Sequence, residues 1–284
     1  IRNGQTARLR ELLWDPLELA ALNQLPTEAS APAFARVLAE MFGPDPRAAS
    51  IALPLKPLDQ MYAEPARTYI EAHGGLVKTA SPATVHVSRG TADVVSGTER
   101  WSAGGVVVSV PWFALSEVFH GDVGALEPVM ARARSTSASP IVTINLWFDR
   151  PLFSEPFIGL PGRMMQWVFD KRTIVGGKLT HLSLVSSGAA AVVARFNEDL
   201  VAAAYQELLD ALPDARTATL IKSSVIREPR ATFSLAPGQS ERPDTRTPIP
   251  GVVLAGDWIQ TRLPATIESA VRSGHLAAQA LSDR

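Results

Sequence analysis

The sequence predicts a mixed α/β (α+β) chain, on three observations. A short apolar run bounded by glycines, Gly251-Val252-Val253-Leu254-Ala255-Gly256-Asp257, has the length and composition of a strand buried on both faces, and it leads through a loop into a helix. Helical periodicity in the first part of the chain gives way at Gly74-Gly75 to short β-type runs. Residues 140–148 then alternate with apolar side chains on most positions of both sets, as in a sheet with helices on one face and an apolar cavity on the other. In sequence order, an antiparallel section lies between two pieces of another domain, which is the pattern of a domain inserted into a dinucleotide-binding one.

Composition narrows the function. A chain of 284 residues, 46% hydrophobic and 19% charged, is globular and can bury one large or two modest cores. Its net charge of -1 gives no electrostatic reason to expect nucleic acid. There is no cysteine, hence no disulfide framework or thiolate metal site, and His73, His86, His120, His181 and His275 are scattered without ligand spacing, so no metal is expected. Gly-x-Ser-x-Gly, P-loop and His-Glu-x-x-His patterns are missing. No apolar stretch reaches the roughly 20 residues of a membrane span, and a cytoplasmic location is expected. The chain opens at Ile1, without an initiator methionine and inside the polar phrase Arg2-Asn3-Gly4-Gln5, which points to a fragment.

The elements follow in order. Residues 6–13 read as a helix with a Leu9, Leu12, Leu13 face, and Asp15 as the cap of a second with Pro16 at its first position. A third helix starts at Ser30 and stops at Gly43-Pro44, and a fourth runs from Pro65 to His73. Residues 76–78, 84–87, 93–94, 99–101 and 105–111 read as strands, the last ended by Pro111, with a helix over 112–119 and a connector over 121–139. Residues 157–160, 164–170 and 182–187 continue the antiparallel sheet begun at 140–148. A helix over 198–212 carries a stripe at Leu200, Val201, Ala204, Leu208 and Leu209, and residues 218–225 form a further strand. In the last helix Pro264 and Thr266 are start signals, Glu268 is a first-turn acid, and Ile267, Ala270 and Val271 are its apolar positions.

The joint at Asp257 offers free backbone N–H groups, a positive helix end and one carboxylate, which suits a polar cofactor bearing phosphate and hydroxyl groups. On residue pattern alone, the favoured explanation is that Asp257 caps a loop and Gly274 lets the helix pack on the strand. Leu254-Ala255-Gly256-Asp257, Pro264, Glu268-Ser269-Ala270 and Ser273-Gly274 together resemble the FAD-binding signature of the flavin amine oxidase and phytoene desaturase superfamily. That resemblance implies FAD as cofactor, held by Gly256, Asp257, Thr266, Ile267 and Glu268, with Val85 placed by position at the adenine. It also implies a Rossmann-like FAD/NAD(P)-binding domain that here lacks its N-terminal βαβ unit, because no Gly-x-Gly-x-x-Gly occurs. A chain without that unit is expected to be inactive alone.

Further phrases narrow the resemblance: Leu12-Leu13-Trp14-Asp15-Pro16-Leu17, Asn145-Leu146-Trp147-Phe148-Asp149-Arg150-Pro151, Gln166-Trp167-Val168-Phe169-Asp170 and Arg230-Ala231-Thr232-Phe233. Together they resemble the squalene-associated FAD-dependent desaturases, whose members act as hydroxysqualene dehydroxylases in hopanoid biosynthesis. The expected division is residues 1–72 as the helical part of a substrate domain, 73–120 as the middle of the FAD-binding domain, 121–245 as the substrate-binding sheet and helix, and 246–284 as the last part of the FAD-binding domain. Trp14, Trp147, Gln166 and Trp167 are candidate lining for a small-molecule isoprenoid. Asp149, Asp170 and His181 are acids near sheet ends for which surface pairing is an equal explanation, so the catalytic residue stays open. Carotenoid desaturation and non-catalytic isoprenoid binding are the alternatives, and a lipid-soluble substrate implies peripheral contact with the inner face of the cell membrane, with residues 9–42 as the place to look.

Overall fold

The computed structural model describes residues 5–283, so residues 1–4 of the section expected over 1–72, and most of the polar opening phrase, lie outside the described residues. The chain divides into two compact units, one formed by the residues up to Glu28 with Pro44–Val77 and Ala138–Thr232, the other by Ala29–Gly43, Lys78–Ser137 and the residues from Phe233 onward.

The first unit is built on a five-stranded sheet. Its strands are β6 (Ala138–Phe148), β7 (Phe157–Gly159), β8 (Trp167–Asp170), β9 (Thr180–Ser186) and β10 (Leu220–Phe233), in the order β10-β6-β9-β8-β7. β6 pairs antiparallel with β9, β9 with β8 and β8 with β7. Alternation sorts the side chains of β6 by face. Val142, Ile144, Leu146 and Phe148 are fully buried, and they pack with Leu200, Ala204 and Leu208, one face of the helix Asn197–Ala211. The opposite face carries Thr143, Asn145 and Trp147 from β6, Trp167 and Phe169 from β8, and His181, Ser183 and Val185 from β9.

The second unit holds a four-stranded sheet of β1 (Thr84–Ser88), β2 (Thr91–Ser96), β3 (Glu99–Ser102) and β5 (Phe119–Gly121), in the order β3-β2-β1-β5. It also holds a two-stranded parallel ladder of β4 (Val106–Val108) and β11 (Val252–Leu254). All three β11 residues are buried, as their uninterrupted apolar run requires. Val85, Val87, Val106, Val108, Trp112 and Leu254 belong to one core, and the last helix, Ile267–Ser282, packs Ala277 and Ala280 against Val253 and Ala255.

Several elements differ from the sequence expectation. Residues 6–13 and Asp15 do not form two helices: helical backbone runs through Trp14, with a wide turn in which Asp15 N–H bonds Arg10 C=O. Pro16 has no N–H to give to the i−4 carbonyl, and the wider turn one residue earlier absorbs that loss. The same device precedes Pro65, where Glu64 N–H bonds Asp59 C=O. Leu9, Leu12 and Leu13 are 37%, 51% and 45% exposed, so their stripe is no core face. Residues 76–78 form no strand, having no ladder partner. The connector over 121–139 contains the helix Glu127–Ser135, with Met130 and Ala133 buried. The helix expected over 112–119 is a 3₁₀ turn, Trp112–Ala114, and one short helix, after which Phe119 enters a strand parallel to β1. Arg230 to Phe233 extends β10 rather than standing alone.

The last helix differs in its face. Ile267 and Val271 are 50% and 47% exposed, while Ser269, Ser273, Ala277 and Ala280 are buried. Small side chains let a helix approach a strand closely, and here that need outweighs hydrophobicity. Among the described residues no helix is long and apolar enough to cross a membrane.

Core truncation should be costly on the helix-covered face of the five-stranded sheet and cheap on exposed positions of its edge. Leu208→Ala, at a fully buried site, should lower stability in denaturant by about 2–5 kcal/mol. Ile221→Ala, 53% exposed on β10, should change it by less than about 0.5 kcal/mol.

Candidate cofactor site and apolar cavity

In the second unit the site is built where β11 ends. Ala255 N–H still bonds Val108 C=O at 3.0 Å, and Gly256 then turns out of the ladder at φ 132°. Only glycine adopts that backbone without strain, and a Cβ there would stand 3.0 Å from Trp258 Cδ1. Gly256 N–H donates to Ser273 Oγ at 2.7 Å, and Ser273 Oγ–H donates to Ala270 C=O at 2.6 Å. Trp258 is buried and donates its ring N–H to Val110 C=O at 3.0 Å, which fixes the far side of the turn.

A chain of hydroxyls closes the loop. Leu263 N–H donates to Thr261 Oγ1 at 3.3 Å, Thr261 shares a 2.6 Å bond with Ser269 Oγ, and Ser269 Oγ–H donates to Asp257 C=O at 2.9 Å. Arg242 adds a clamp, donating to Leu263 C=O at 2.8 Å and to Gln260 Oε1 at 3.3 Å with its guanidinium over the Phe233 ring. Burial pulls Arg242 below its ordinary pKa, and the Asp257 charge opposes that pull.

The helix Ile267–Ser282 begins at this loop. Thr266 is its N-cap and accepts from Ser269 N–H at 3.1 Å. Among the described residues the N–H groups of Ile267 and Glu268 have no acceptor, and both residues are exposed. Those donors and the helix dipole favour negative charge in front of them. The Glu268 carboxylate turns back along the helix toward Arg272, 3.6 Å away. Burial pushes the Asp257 carboxyl above its ordinary range, against its own and the Trp258 backbone N–H bonds and the Arg242 charge. Val85 is buried in β1, which pairs at this residue with Val94 of β2 on one edge and with Phe119 of β5 on the other. The residues present therefore fit a flavin nucleotide: a glycine turn, a half-buried carboxylate and a helix N-terminus with unused donors. No cluster of three metal-ligating side chains occurs among the described residues.

In the first unit the uncovered face of the five-stranded sheet borders two adjoining cavities. One, of about 490 Å³, is lined by Leu53, Leu55, Thr143, Phe169, Ile174 and Ser183 among others. The other, of about 470 Å³, is lined by Leu12, Leu17, Ile51, Phe157, Trp167 and Val185 among others, and Phe169 and Val185 border both.

The four candidate lining residues are not equivalent. Trp167 faces the second of these cavities. Gln166 borders a neighbouring hollow, but its amide is engaged at both ends, accepting from Ser187 N–H at 2.7 Å and donating to Met164 C=O at 3.0 Å. Trp14 donates to Gln5 Oε1 at 2.6 Å, and Trp147 stacks on His181 under Lys222 Nζ. Neither borders the cavities just described. Leu53, Leu55 and Ile174 lie in stretches whose sequence carries no periodic signal. Arg242 was likewise silent, whereas Ser269 and Ser273, four apart inside the signature, were readable as one helix face.

The three candidate acids are also told apart. Asp149 is held at about 2 by the Arg150 side chain and by Thr219 N–H, so it is a carboxylate at neutral pH. Asp170 is buried and takes Arg172 Nε at 2.7 Å and Arg172 N–H at 2.9 Å, a local brace. Burial, and then the Lys171 charge, push His181 below its ordinary value, which keeps the ring neutral.

The raised Asp257 pKa gives a pH-dependent stability of fixed sign. A carboxyl with a folded pKa above its unfolded one costs stability while ionised, and that cost disappears as pH falls through the folded value. The ligand-free Asp257→Asn variant should therefore melt above the wild type at neutral pH, and the two melting curves should converge in acid. Thermal unfolding of both proteins across a pH series checks this.

Comparison with known proteins gives the family and the fold. The hydroxysqualene dehydroxylases of Sinorhizobium fredii (strain NBRC 101917 / NGR234) and Rhodopseudomonas palustris (strain ATCC BAA-98 / CGA009) are 28% and 30% identical over 94% and 97% of this chain, which spans 61% and 64% of their lengths. A 15-cis-phytoene desaturase from an Oncidium hybrid cultivar is 32% identical over 53% of the chain and 28% of its own length. Among solved structures, an oxidoreductase from Methanosarcina mazei superposes with a TM-score of 0.73 at 15% identity, covering 100% of this chain and 66% of that one. Cyclohexylamine oxidase from Brevibacterium oxydans IH-35A superposes with a TM-score of 0.69 at 13% identity, covering 98% and 65%. The flavin containing amine oxidoreductase family matches residues 46–282, so the chain belongs to that family, a mixed α/β FAD-dependent fold.

Proposed function

We propose that this chain is part of an FAD-dependent oxidoreductase that replaces the hydroxyl of a C30 isoprenoid alcohol, hydroxysqualene, with hydrogen to give squalene. The observation that carries this reading is the extent of similarity: the two dehydroxylases match over 94% and 97% of the chain, sheet and cavities included, while the Oncidium desaturase matches over 53%.

In this reading Asp257 and the free N–H groups of Ile267 and Glu268 hold the polar parts of FAD, Gly256 keeps the turn open to it, and the backbone of Val85 meets the adenine. Reduced FAD, when bound, would supply the hydride to carbon and, overall, the proton with which the hydroxyl leaves as water, FAD being the oxidised product. The walls formed by Leu53, Leu55, Phe157, Trp167 and Phe169 accommodate the hydrocarbon and exclude water from the allylic centre. Peripheral contact with a lipid surface belongs to the same reading, because the substrate partitions into bilayers.

The test is made on the full-length protein carrying this chain. It should purify with, or take up, a flavin whose absorbance weakens in Asp257→Ala. With chemical reductant and no oxygen it should convert hydroxysqualene to squalene, scored by gas chromatography, and leave phytoene unchanged. Desaturated products from phytoene in place of squalene would transfer the assignment to the carotenoid desaturases, and a protein with no flavin after reconstitution would leave only isoprenoid binding. The wild type should also pellet with liposomes; a protein that stays in the supernatant removes the membrane contact alone.

A further inference from the structure

The uncovered sheet face is apolar except at one place. Asn145 and Ser183 are directly opposed in the β6–β9 register, and Thr143 is opposed by Val185, so the Thr143 and Ser183 side chains are diagonal neighbours on the same face. Such neighbours stand about 7–8 Å apart, which leaves room for one oxygen atom between their side chains. Both line the cavity of about 490 Å³, whose walls include Leu53, Leu55, Phe169 and Ile174.

The two hydroxyls differ in what they can still do. Ser183 Oγ–H donates to Asn145 Oδ1 at 3.0 Å, which uses its proton and leaves its lone pairs as acceptors. Asn145 is 7% exposed, and its Oδ1 also takes His181 Nε2–H at 2.8 Å, in the tautomer that donates there. The stacked Trp147 ring, 4.3 Å from His181 between centroids, holds that imidazole in place. Asn145 and His181 therefore fix the direction of the Ser183 proton. Thr143 is half-buried, and its hydroxyl has no partner among the described residues, so it remains a donor. An alcohol both gives and accepts one hydrogen bond, and a ketone or a hydrocarbon does not. The charged residues bordering the cavity are Asp170, which is paired with Arg172, and Lys171, so an anionic ligand is a competitor that the experiment has to include.

We propose that Thr143 and Ser183 form an alcohol-binding pair, in which Thr143 donates to the oxygen of a long-chain isoprenoid alcohol and Ser183 accepts its proton, with Asn145 and His181 as positioning residues. The proposal deepens the dehydroxylase reading and rests on it for the identity of the alcohol.

The experiment titrates the flavin-loaded full-length protein with hydroxysqualene, with squalene and with a prenyl diphosphate, following the flavin spectrum, for the wild type, Thr143→Val and Ser183→Ala. Both substitutions nearly conserve shape, and melting temperatures check that the variants fold. Each variant should bind hydroxysqualene about three- to tenfold more weakly, the loss expected for one hydrogen bond, with the squalene affinity unchanged. The proposal is overturned by a wild type that binds alcohol and hydrocarbon equally or binds neither, by variants that lose both ligands alike or neither, or by a prenyl diphosphate bound more tightly than the alcohol. The two readings separate cleanly. Discrimination without squalene formation removes the dehydroxylase function and keeps the pair, while squalene formed at the wild-type kcat/KM by both variants removes the pair and keeps the function.

Discussion

The close approach of the last helix to β11 is the constraint on which the second unit depends. The side chains turned inward are Ser269, Ser273, Ala277 and Ala280, and larger ones would hold the helix away from Val253 and Ala255. At that distance Ser273 can take the first N–H beyond the ladder, that of Gly256. The same separation lets Ser269 reach Asp257 C=O, so the helix and the turn are fixed to each other at two points, four residues apart on one helix face. The unused donors of Ile267 and Glu268 are consequently presented at the loop rather than at random on the surface.

The five-stranded sheet meets a different demand. One face is filled by Leu200, Ala204 and Leu208 of a single helix, which leaves its partner face free to be shaped for a ligand without loss of the core. Core packing and cavity lining are thus divided between alternate residues of the same strand. Along β6, Val142, Ile144, Leu146 and Phe148 serve packing, while Thr143, Asn145 and Trp147 point to the other side.

That division explains what was legible in the sequence. Elements marked by strong periodicity or punctuation were read correctly: the Ser30 cap, the stripe at Leu200, Ala204 and Leu208, the apolar run of β11, and Thr266 as a helix start. Where local and tertiary demands conflicted, the sequence misled. Ile267 and Val271 had the hydrophobicity of a core face, but the core there required small residues, and the serines that took it look polar out of context. Pro16 signalled a new helix, whereas backbone that can widen by one residue carries the proline without a break. The candidate site was named at Gly256, Asp257 and the helix start because those positions sit in one contiguous phrase, and the structure brings them to one loop. Arg242, Leu53 and Leu55 reach their places only through the fold, and nothing in their own stretches announces it.

Asp149 and Asp257 show how structure separates two carboxylates that pattern alone reads alike, as surface pairing or loop capping. A carboxylate that caps a loop gains backbone N–H bonds and a neighbouring cation, and its pKa falls; Asp149 does this, reaching about 2. Asp257 has backbone N–H bonds and Arg242 nearby, yet its pKa rises, because burial outweighs them. A chain selected only to fold gains nothing from a carboxyl in that position, since any neutral residue of the same shape would spare the desolvation cost. Gly274 points the same way: a Cβ added there would meet nothing within 4 Å, so close helix packing does not require a glycine at that position. Loop capping and helix packing thus leave two residues of the signature phrase without an account, and in the proposed flavin site a cofactor hydroxyl bonded to the Asp257 carboxylate would supply the compensation.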